Sequence, residues 1–310
     1  MAAKPLGLLI GICLLLHSCS LDDDRDECCQ AGTVRFRYLY VGMDRFADYV
    51  KGVRYLLFDG EGHYLHDMPP TDESLPNRVR VDALDAGCYT LVGVGNLTDY
   101  GGLEGYAEEG LDSFRLRVTR MSPHGDGTFA NGDRLYWGEC RFMIVPGAFN
   151  GFLGEMANVH CVLRLRVEWE RVPEFSEGYR FRLEGVGRGM EMHGGNAKYI
   201  DVQAFPPVES YGGSMTEDVP LRQFALQAEL VTLRWTDAEI PSFRLMHGDE
   251  FVTKSIDLGR AFRQWGWHPD RAPVQEYELR MLVRANGSIE VNQGLRAGVG
   301  DWENGGVIGF

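Results

Sequence analysis

Cys161-Val162-Leu163-Arg164-Leu165-Arg166-Val167-Glu168-Trp169-Glu170 sorts into two columns, with Cys161, Leu163, Leu165, Val167 and Trp169 on one side and Val162, Arg164, Arg166, Glu168 and Glu170 on the other. A period of two is that of a strand with one buried face and one wet face. The same alternation recurs upstream, where Val34, Phe36, Tyr38 and Tyr40 interleave with Arg35, Arg37 and Leu39. Downstream it returns in Phe181-Arg182-Leu183, Leu230 to Trp235, Phe251 to Leu258 and Tyr277 to Met281. Further strand segments are expected at Val53 to Phe58, Arg78 to Val81, Cys88 to Gly95, Phe114 to Val118 and Arg134 to Val145. Asp59-Gly60-Glu61-Gly62 and Asn286-Gly287 lie between apolar runs and read as hairpin turns. Asp44 can cap a short helical turn carrying Phe46, Tyr49 and Val50, which Gly52 can end.

Many short strands separated by Gly, Pro and Asn signals predict an all-β fold of β-sandwiches. The 310 residues suit two domains in tandem. The boundary is expected near 155, with the Pro146-to-Gly154 loop as hinge, giving an N-terminal domain over 33–155 and a C-terminal domain over 156–310. The latter ends in a Gly-rich tail, Gly294 to Phe310, that reads either as a mobile end, as a final edge strand, or as a segment offered to another subunit's sheet.

Before the first strand the chain changes character. Lys4 precedes an apolar run from Leu6 to Leu16, then come Leu16-His17-Ser18-Cys19 and the acidic Asp22-Asp23-Asp24. The run is too short for a membrane-spanning helix, which needs roughly 20 apolar residues, and fits an export signal. Leu16 and Ser18 ahead of Cys19 resemble a bacterial lipobox, which implies cleavage before Cys19 and acylation of its thiol. Residues 1–18 are therefore expected to be a lipoprotein signal peptide, and 19–32 a flexible acidic tether. Each buried methylene contributes about 0.8 kcal/mol, so several acyl chains on one residue would hold the chain at a membrane durably.

A net charge of −14 argues against nucleic acid and anionic lipid surfaces as partners. Of the 7 cysteines, Cys13 would leave with the signal and Cys19 would carry lipid. That leaves Cys28, Cys29, Cys88, Cys140 and Cys161, an odd set in an export context that permits disulfides. Cys140 and Cys161 flank one loop between two strands and are the favoured bridge; the other reading is two buried core thiols. No Cys/His spacing resembles a zinc site.

No catalytic set assembles from the sequence. His63 and His66, beside Asp67, fall on opposite faces of a strand and fail as metal ligands. Asp126, between Gly125 and Gly127, lacks EF-hand spacing and reads as a turn. Trp265-Gly266-Trp267 reads as a plug closing a core, with stacking on a sugar as the alternative. Asn96-Leu97-Thr98 and Asn286-Gly287-Ser288 match glycosylation sequons. Neither a metal, a cofactor nor an enzymatic activity is expected.

Several of these pieces occur in a particular order: the lipobox and acidic leader, Val34-Arg35-Phe36-Arg37-Tyr38, Asp44-Arg45-Phe46, and Phe58-Asp59-Gly60-Glu61-Gly62. Ala86-Gly87-Cys88-Tyr89-Thr90-Leu91-Val92 and Asp133-Arg134-Leu135-Tyr136-Trp137-Gly138 follow. Together they resemble the FimB-type fimbrial anchor family, the minor lipoprotein subunits of type V pili. The resemblance implies two transthyretin-like β-sandwich domains and a place in the outer membrane, lipid-anchored through Cys19 and exposed at the cell surface. It further implies a role in holding a fimbrium there, with the shaft pilin and other minor subunits as partners, joined by β-strand pairing. The competing expectations are a surface lipoprotein that binds host glycans or proteins through loops such as Gly101-Gly102-Leu103-Glu104-Gly105 or Trp265-Gly266-Trp267, and a hydrolase with an unfamiliar site.

Overall fold

Tyr55-Leu56-Leu57-Phe58 shows why a simple alternation is not enough to describe this molecule. Tyr55 and Leu57 enter one apolar cluster, whereas Leu56 and Phe58 enter a second. Successive side chains of a strand point to opposite faces, so an unbroken apolar run marks a sheet buried on both. The computed structural model describes residues 32–148, 151–171, 173, 175, 177–193, 205–222 and 225–294, with the backbone of 308–309. Leu16, Ser18, Cys19, Cys28 and Cys29 lie outside the described residues, as does most of the Gly-rich tail.

The first strands are β1 (Thr33–Arg37), β2 (Leu39–Tyr40), β3 (Met43–Asp44), β4 (Val53–Asp59), β5 (Tyr64–Met68) and β6 (Arg78–Arg80). They are followed by β7 (Gly87–Gly95), β8 (Gly101–Glu104), β9 (Arg115–Val118), β10 (Tyr136–Ile144) and β11 (Gly151–Asn158). Next come β12 (His160–Trp169), β13 (Tyr179–Val186), β14 (Gly189–Glu191), β15 (Gly213–Asp218), β16 (Leu221–Arg222) and β17 (Ala225–Leu233). The series closes with β18 (Ser242–His247), β19 (Glu250–Phe251), β20 (Ile256–Asp257), β21 (Gln275–Val283), β22 (Ile289–Gln293) and β23 (Ile308–Gly309). Short helices α1 (Phe46–Tyr49), α2 (Tyr106–Glu109) and α3 (Leu258–Trp265) interrupt them.

The chain is all-β, as its periodicity predicts. One sheet of 7 strands runs β5-β4-β7-β10-β11-β1-β6, and one of 6 runs β16-β17-β12-β21-β22-β23. A third sheet has the order β15-β13-β18-β19 with β20 beside β18, a fourth β14-β9-β8, and β2 pairs with β3. β1 lies parallel to β11, from Thr33 beside Gly151 to Arg37 beside Glu155, and β12 lies parallel to β21.

The smaller cluster covers one face of the 7-stranded sheet and holds Val34, Phe36, Tyr38, Phe46, Tyr55 and Tyr136. Its other face, with Val92, Val94 and Trp137, packs on Phe114, Leu116, Met190 and Met192, and the same cluster continues to Leu163, Phe181, Trp235, Phe243 and Leu279. One apolar core thus runs through both halves of the chain. The sheet formed by β8, β9 and β14 bridges them, because Met190 is paired with Leu116.

Two expectations are corrected here. Pro146 to Gly154 is not a loop between domains, since Gly151 already opens β11 in the same sheet as β10. Only Val159, fully buried, separates β11 from β12. That junction is pinned: Leu135 O accepts Val159 N–H at 3.1 Å and lies 2.8 Å from His160 Nδ1, while Arg234 donates to Asn158 O at 3.0 Å and Pro273 O at 3.2 Å. The Cys140–Cys161 bridge is not formed either. Cys140 sits on β10 in the smaller cluster and Cys161 on β12 in the larger, and both are free, buried thiols. The loop after Cys140 leads into β11, not into the strand of Cys161, so the two cysteines do not flank one loop.

Candidate functional site

A protein can act through its backbone as well as through side-chain chemistry, and the sheet edges are where N–H and C=O groups lack partners. Most edges here are blunted by the chain itself. Along β17, Asn131 Oδ1 accepts Val231 N–H at 2.7 Å, Asn131 Nδ2 donates to Glu229 O at 2.8 Å, and Gly132 N–H donates to Val231 O at 2.9 Å. Along β15, Phe129 N–H donates to Ser214 O at 2.7 Å and Phe129 O accepts Thr216 N–H at 2.9 Å. β14 is covered at Gly189 and Glu191 by the backbone of Glu209 and Pro207, each bond 3.0 Å long. On the far side of the 6-stranded sheet, β23 lies against β22, with Val291 paired to Ile308.

Among edge strands longer than three residues, β5 and β8 meet no further backbone among the described residues. β8 also borders a cleft of about 730 Å³ lined by Lys51, Val53, Arg54, Asn96, Leu97 and Leu103, among others. The cleft walls are fixed. Asn96 stands at φ 61° and uses its amide fully, accepting from Lys51 N–H at 2.7 Å and donating to Tyr49 O at 2.8 Å and Arg134 O at 3.1 Å. Asp133 accepts Thr98 N–H at 2.8 Å and an Arg120 donor at 3.0 Å. Arg54 holds Asp67 at 2.9 Å and Tyr106 Oη at 2.8 Å.

Glycine is required on one side of β8 and open on the other. A Cβ at Gly101 would come within 2.6 Å of Arg117 O, whereas one at Gly102 meets nothing within 4 Å. The edge therefore presents backbone with little side-chain cover, the geometry that accepts an extended segment by main-chain hydrogen bonding. Gly101 to Gly105, expected as a loop for glycans or proteins, is this strand and the residue ahead of α2. Gly-Gly-Leu-Glu has no β-branched residue to mark a strand, and the available signal was the alternation of its partner, Arg115-Leu116-Arg117-Val118.

The other singled-out residues are structural. His63 Nδ1 lies 3.1 Å from Asp59 Oδ2 across the hairpin turn, while His66 is exposed on β5. Asp126 accepts Thr128 N–H at 3.1 Å and the Thr128 hydroxyl at 2.6 Å, a local turn. Trp265 and Trp267, both half-buried, pack against the larger core, with Trp267 stacked 5.2 Å from Tyr277 and edge-on 5.0 Å from Phe262. Among the described residues no three His, Cys, Asp or Glu side chains gather into a metal-sized group, and no helix is long and apolar enough to cross a membrane.

Solved structures share this architecture. A candidate polysaccharide-binding protein from Bacteroides thetaiotaomicron superposes with TM-score 0.64 at 12% identity, over 84% of this chain and 94% of that one. A candidate adhesin from Bacteroides ovatus gives 0.62 at 16%, over 89% and 95%. The fimbrial anchor protein Mfa2 from Porphyromonas gingivalis gives 0.55 at 13%, over 82% and 91%. At these identities the likeness concerns fold alone. None of the curated proteins matches. The family model described as fimbrillin-A associated anchor proteins Mfa1 and Mfa2 matches residues 25–304. This chain belongs to that Mfa2 family of fimbrial anchor proteins, a structural family and not one of enzymes.

Proposed function

We propose that this chain is an outer-membrane lipoprotein, cut between Ser18 and Cys19 and acylated on Cys19, that holds a fimbrium at the cell surface and joins its assembly by strand pairing with a pilin subunit. Residues 1–18 act as the signal and 19–31 as the tether, and the two transthyretin-like sandwich halves meet at Val159, between β11 and β12. The shaft pilin and other minor subunits are its partners.

The observation that carries this reading is how the leader joins the fold. Gly32, at φ 75°, meets β6 directly: its C=O accepts Val81 N–H at 2.6 Å, and a Cβ there would stand 2.4 Å from Asp82 Cβ. The next residue starts β1, an inner strand with β11 on one side and β6 on the other. Tension on the leader is shared by two ladders, which suits a protein that holds a load. The β8 edge supplies the strand-pairing surface. The glycan-binding alternative has less support at Trp265-Gly266-Trp267, because both rings are half-buried against the larger core and one face of Trp267 is taken by Tyr277.

Two substitutions test the two parts. Cys19→Ala is expected to abolish metabolic labelling by a fatty-acid analogue and to release the protein, with its fimbriae, from the membrane fraction; continued labelling would refute acylation at Cys19. Gly102→Lys puts a charge on the open edge at a position with free space. It should stay lipidated and folded, within about 0.5 kcal/mol of the parent, yet shed fimbriae; full retention would refute pairing at β8.

A further inference from the structure

The open edge of β8 has a fixed register. Thr119 N–H donates to Tyr100 O at 3.0 Å, so Tyr100 and Thr119 form a bonded pair at the head of the ladder between β8 and β9. Facing residues of an antiparallel ladder alternate between exchanging both main-chain bonds and exchanging none. Gly102 opposite Arg117 and Glu104 opposite Arg115 are therefore bonded pairs, while Gly101 and Leu103 turn their N–H and C=O groups away from β9. β9 shows the complementary phase, since Val118, opposite Gly101, donates to Arg188 O at 2.9 Å on its other side. Among the described residues nothing bonds the outward groups of Gly101 and Leu103.

The cleft beside them runs against the charge of the chain. The sequence carries 45 acidic residues against 31 Lys and Arg, yet no carboxylate lines this cleft, whereas Lys51 and Arg54 do. Arg54 is already held by Asp67 and Tyr106. Lys51 is exposed; its Nζ donates to Ala47 O in α1 at 2.6 Å, and among the described residues no carboxylate pairs with it. The other polar side chains of the wall are used up: the Asn96 amide makes its three bonds, and the Thr98 hydroxyl lies 2.9 Å from Asp133 Oδ2 and 2.8 Å from an Arg120 donor. No aromatic ring lines the cleft. What is left unmet is the main chain of Gly101 and Leu103 and the Lys51 ammonium.

We propose that the segment pairing with β8 is an acidic strand, whose main chain bonds Gly101 and Leu103 and whose Asp or Glu side chain meets Lys51. This rests on the reading of β8 as the pairing edge and names the chemistry of its partner. The occupant is polypeptide because outward N–H and C=O groups two residues apart on a strand are matched by another extended main chain. A glycan would need free polar side chains or a ring to stack on, and this wall offers neither. The cleft selects a carboxylate because a strand laid over it takes water from the Lys51 ammonium, and a neutral strand would leave that charge without a partner.

The test measures binding of the full mature chain to fimbriae sheared from the same cells and immobilised. Lys51→Glu should keep the parental urea midpoint, since the side chain is exposed, and lose affinity at least about tenfold. Parental binding should weaken as salt rises from about 0.05 to about 0.5 M, and Lys51→Ala should weaken less steeply over that range. Parental affinity in Lys51→Glu, or the same salt dependence in Lys51→Ala as in the parent, would overturn the acidic partner; loss of binding in Gly102→Lys would then leave strand pairing at β8 intact. Parental affinity in Gly102→Lys would overturn both.

Discussion

Gly154→Ala is the smallest change that should damage the attachment of β1. A Cβ at Gly154 would lie 2.6 Å from Phe36 Cε1, 2.8 Å from Phe36 Cδ1 and 3.1 Å from Cys140 Cβ. The ring cannot retreat easily, since Phe36 is fully buried, stands 5.3 Å from Tyr55, and already lies 3.1 Å from where a Cβ on Gly138 would be. Gly138 and Gly154 together form the hollow that receives it. Overpacking one methyl costs about 1 to 3 kcal/mol, and the stiffer unfolded chain of an Ala variant returns about 0.4 to 1. The net expectation is a loss of up to about 2.6 kcal/mol, read as a lower urea midpoint at constant slope. Phe36→Leu alone should also destabilise, by leaving the hollow partly empty. Combined, the two should cost less than their sum by about 1 kcal/mol or more, because the shorter side chain gives the new methyl room. Strict additivity would refute the claim that these glycines exist to seat Phe36.

Two further outcomes are expected. Burial pushes His160 down to about 4, so between that value and its ordinary 6.5 the unfolded chain binds the extra proton; stability should fall by up to about 3 kcal/mol as pH drops through this window, and a His160→Asn variant should lose that dependence in denaturation titrations. With Cys19, Cys28 and Cys29 replaced by Ser, the native protein should expose only the Cys88 thiol to a thiol reagent, because burial pushes Cys140 up to about 12 and Cys161 well above its usual range; denaturation without reductant should release both, and failure to do so would restore the disulfide reading.

The strands that decide the fold class were legible because one side of each is wet. On β12, Arg164 stays at the surface, 3.1 Å from Glu229 and from Glu276, while Leu163 and Leu165 are buried. What alternation could not reveal was burial of the 7-stranded sheet on both faces, which turns Tyr55 to Phe58 into an unbroken apolar run. It could not reveal the ladder between β1 and β11 either, since parallel pairing of residues 33–37 with 151–155 leaves no local turn signal. The family resemblance carried the function; the candidate docking edge, Gly101 to Glu104, was visible only as a glycine-rich stretch.

The hinge at Pro146 to Gly154 fails for a reason that bears on function. Under the proposed anchoring role a swivel between the halves would serve nothing, and particular residues remove it. Val159 is the whole connection and is buried; His160, just after it, lies on the Leu135 carbonyl and Arg234 donates to the Asn158 carbonyl just before it, and burial lowers Arg234 to about 10 without bringing it a carboxylate partner. An unpaired buried guanidinium is costly unless its donors are satisfied. Here carbonyl oxygens of Asn158, Ala272 and Pro273 accept them, and the Phe205 ring lies 3.6 Å from its centre. That cation bonds both the end of β11 and the segment before β21, the parallel neighbour of β12. β1, β11, Val159 and β12 thus form one continuous path through the core, along which tension applied ahead of β1 would pass from one half to the other.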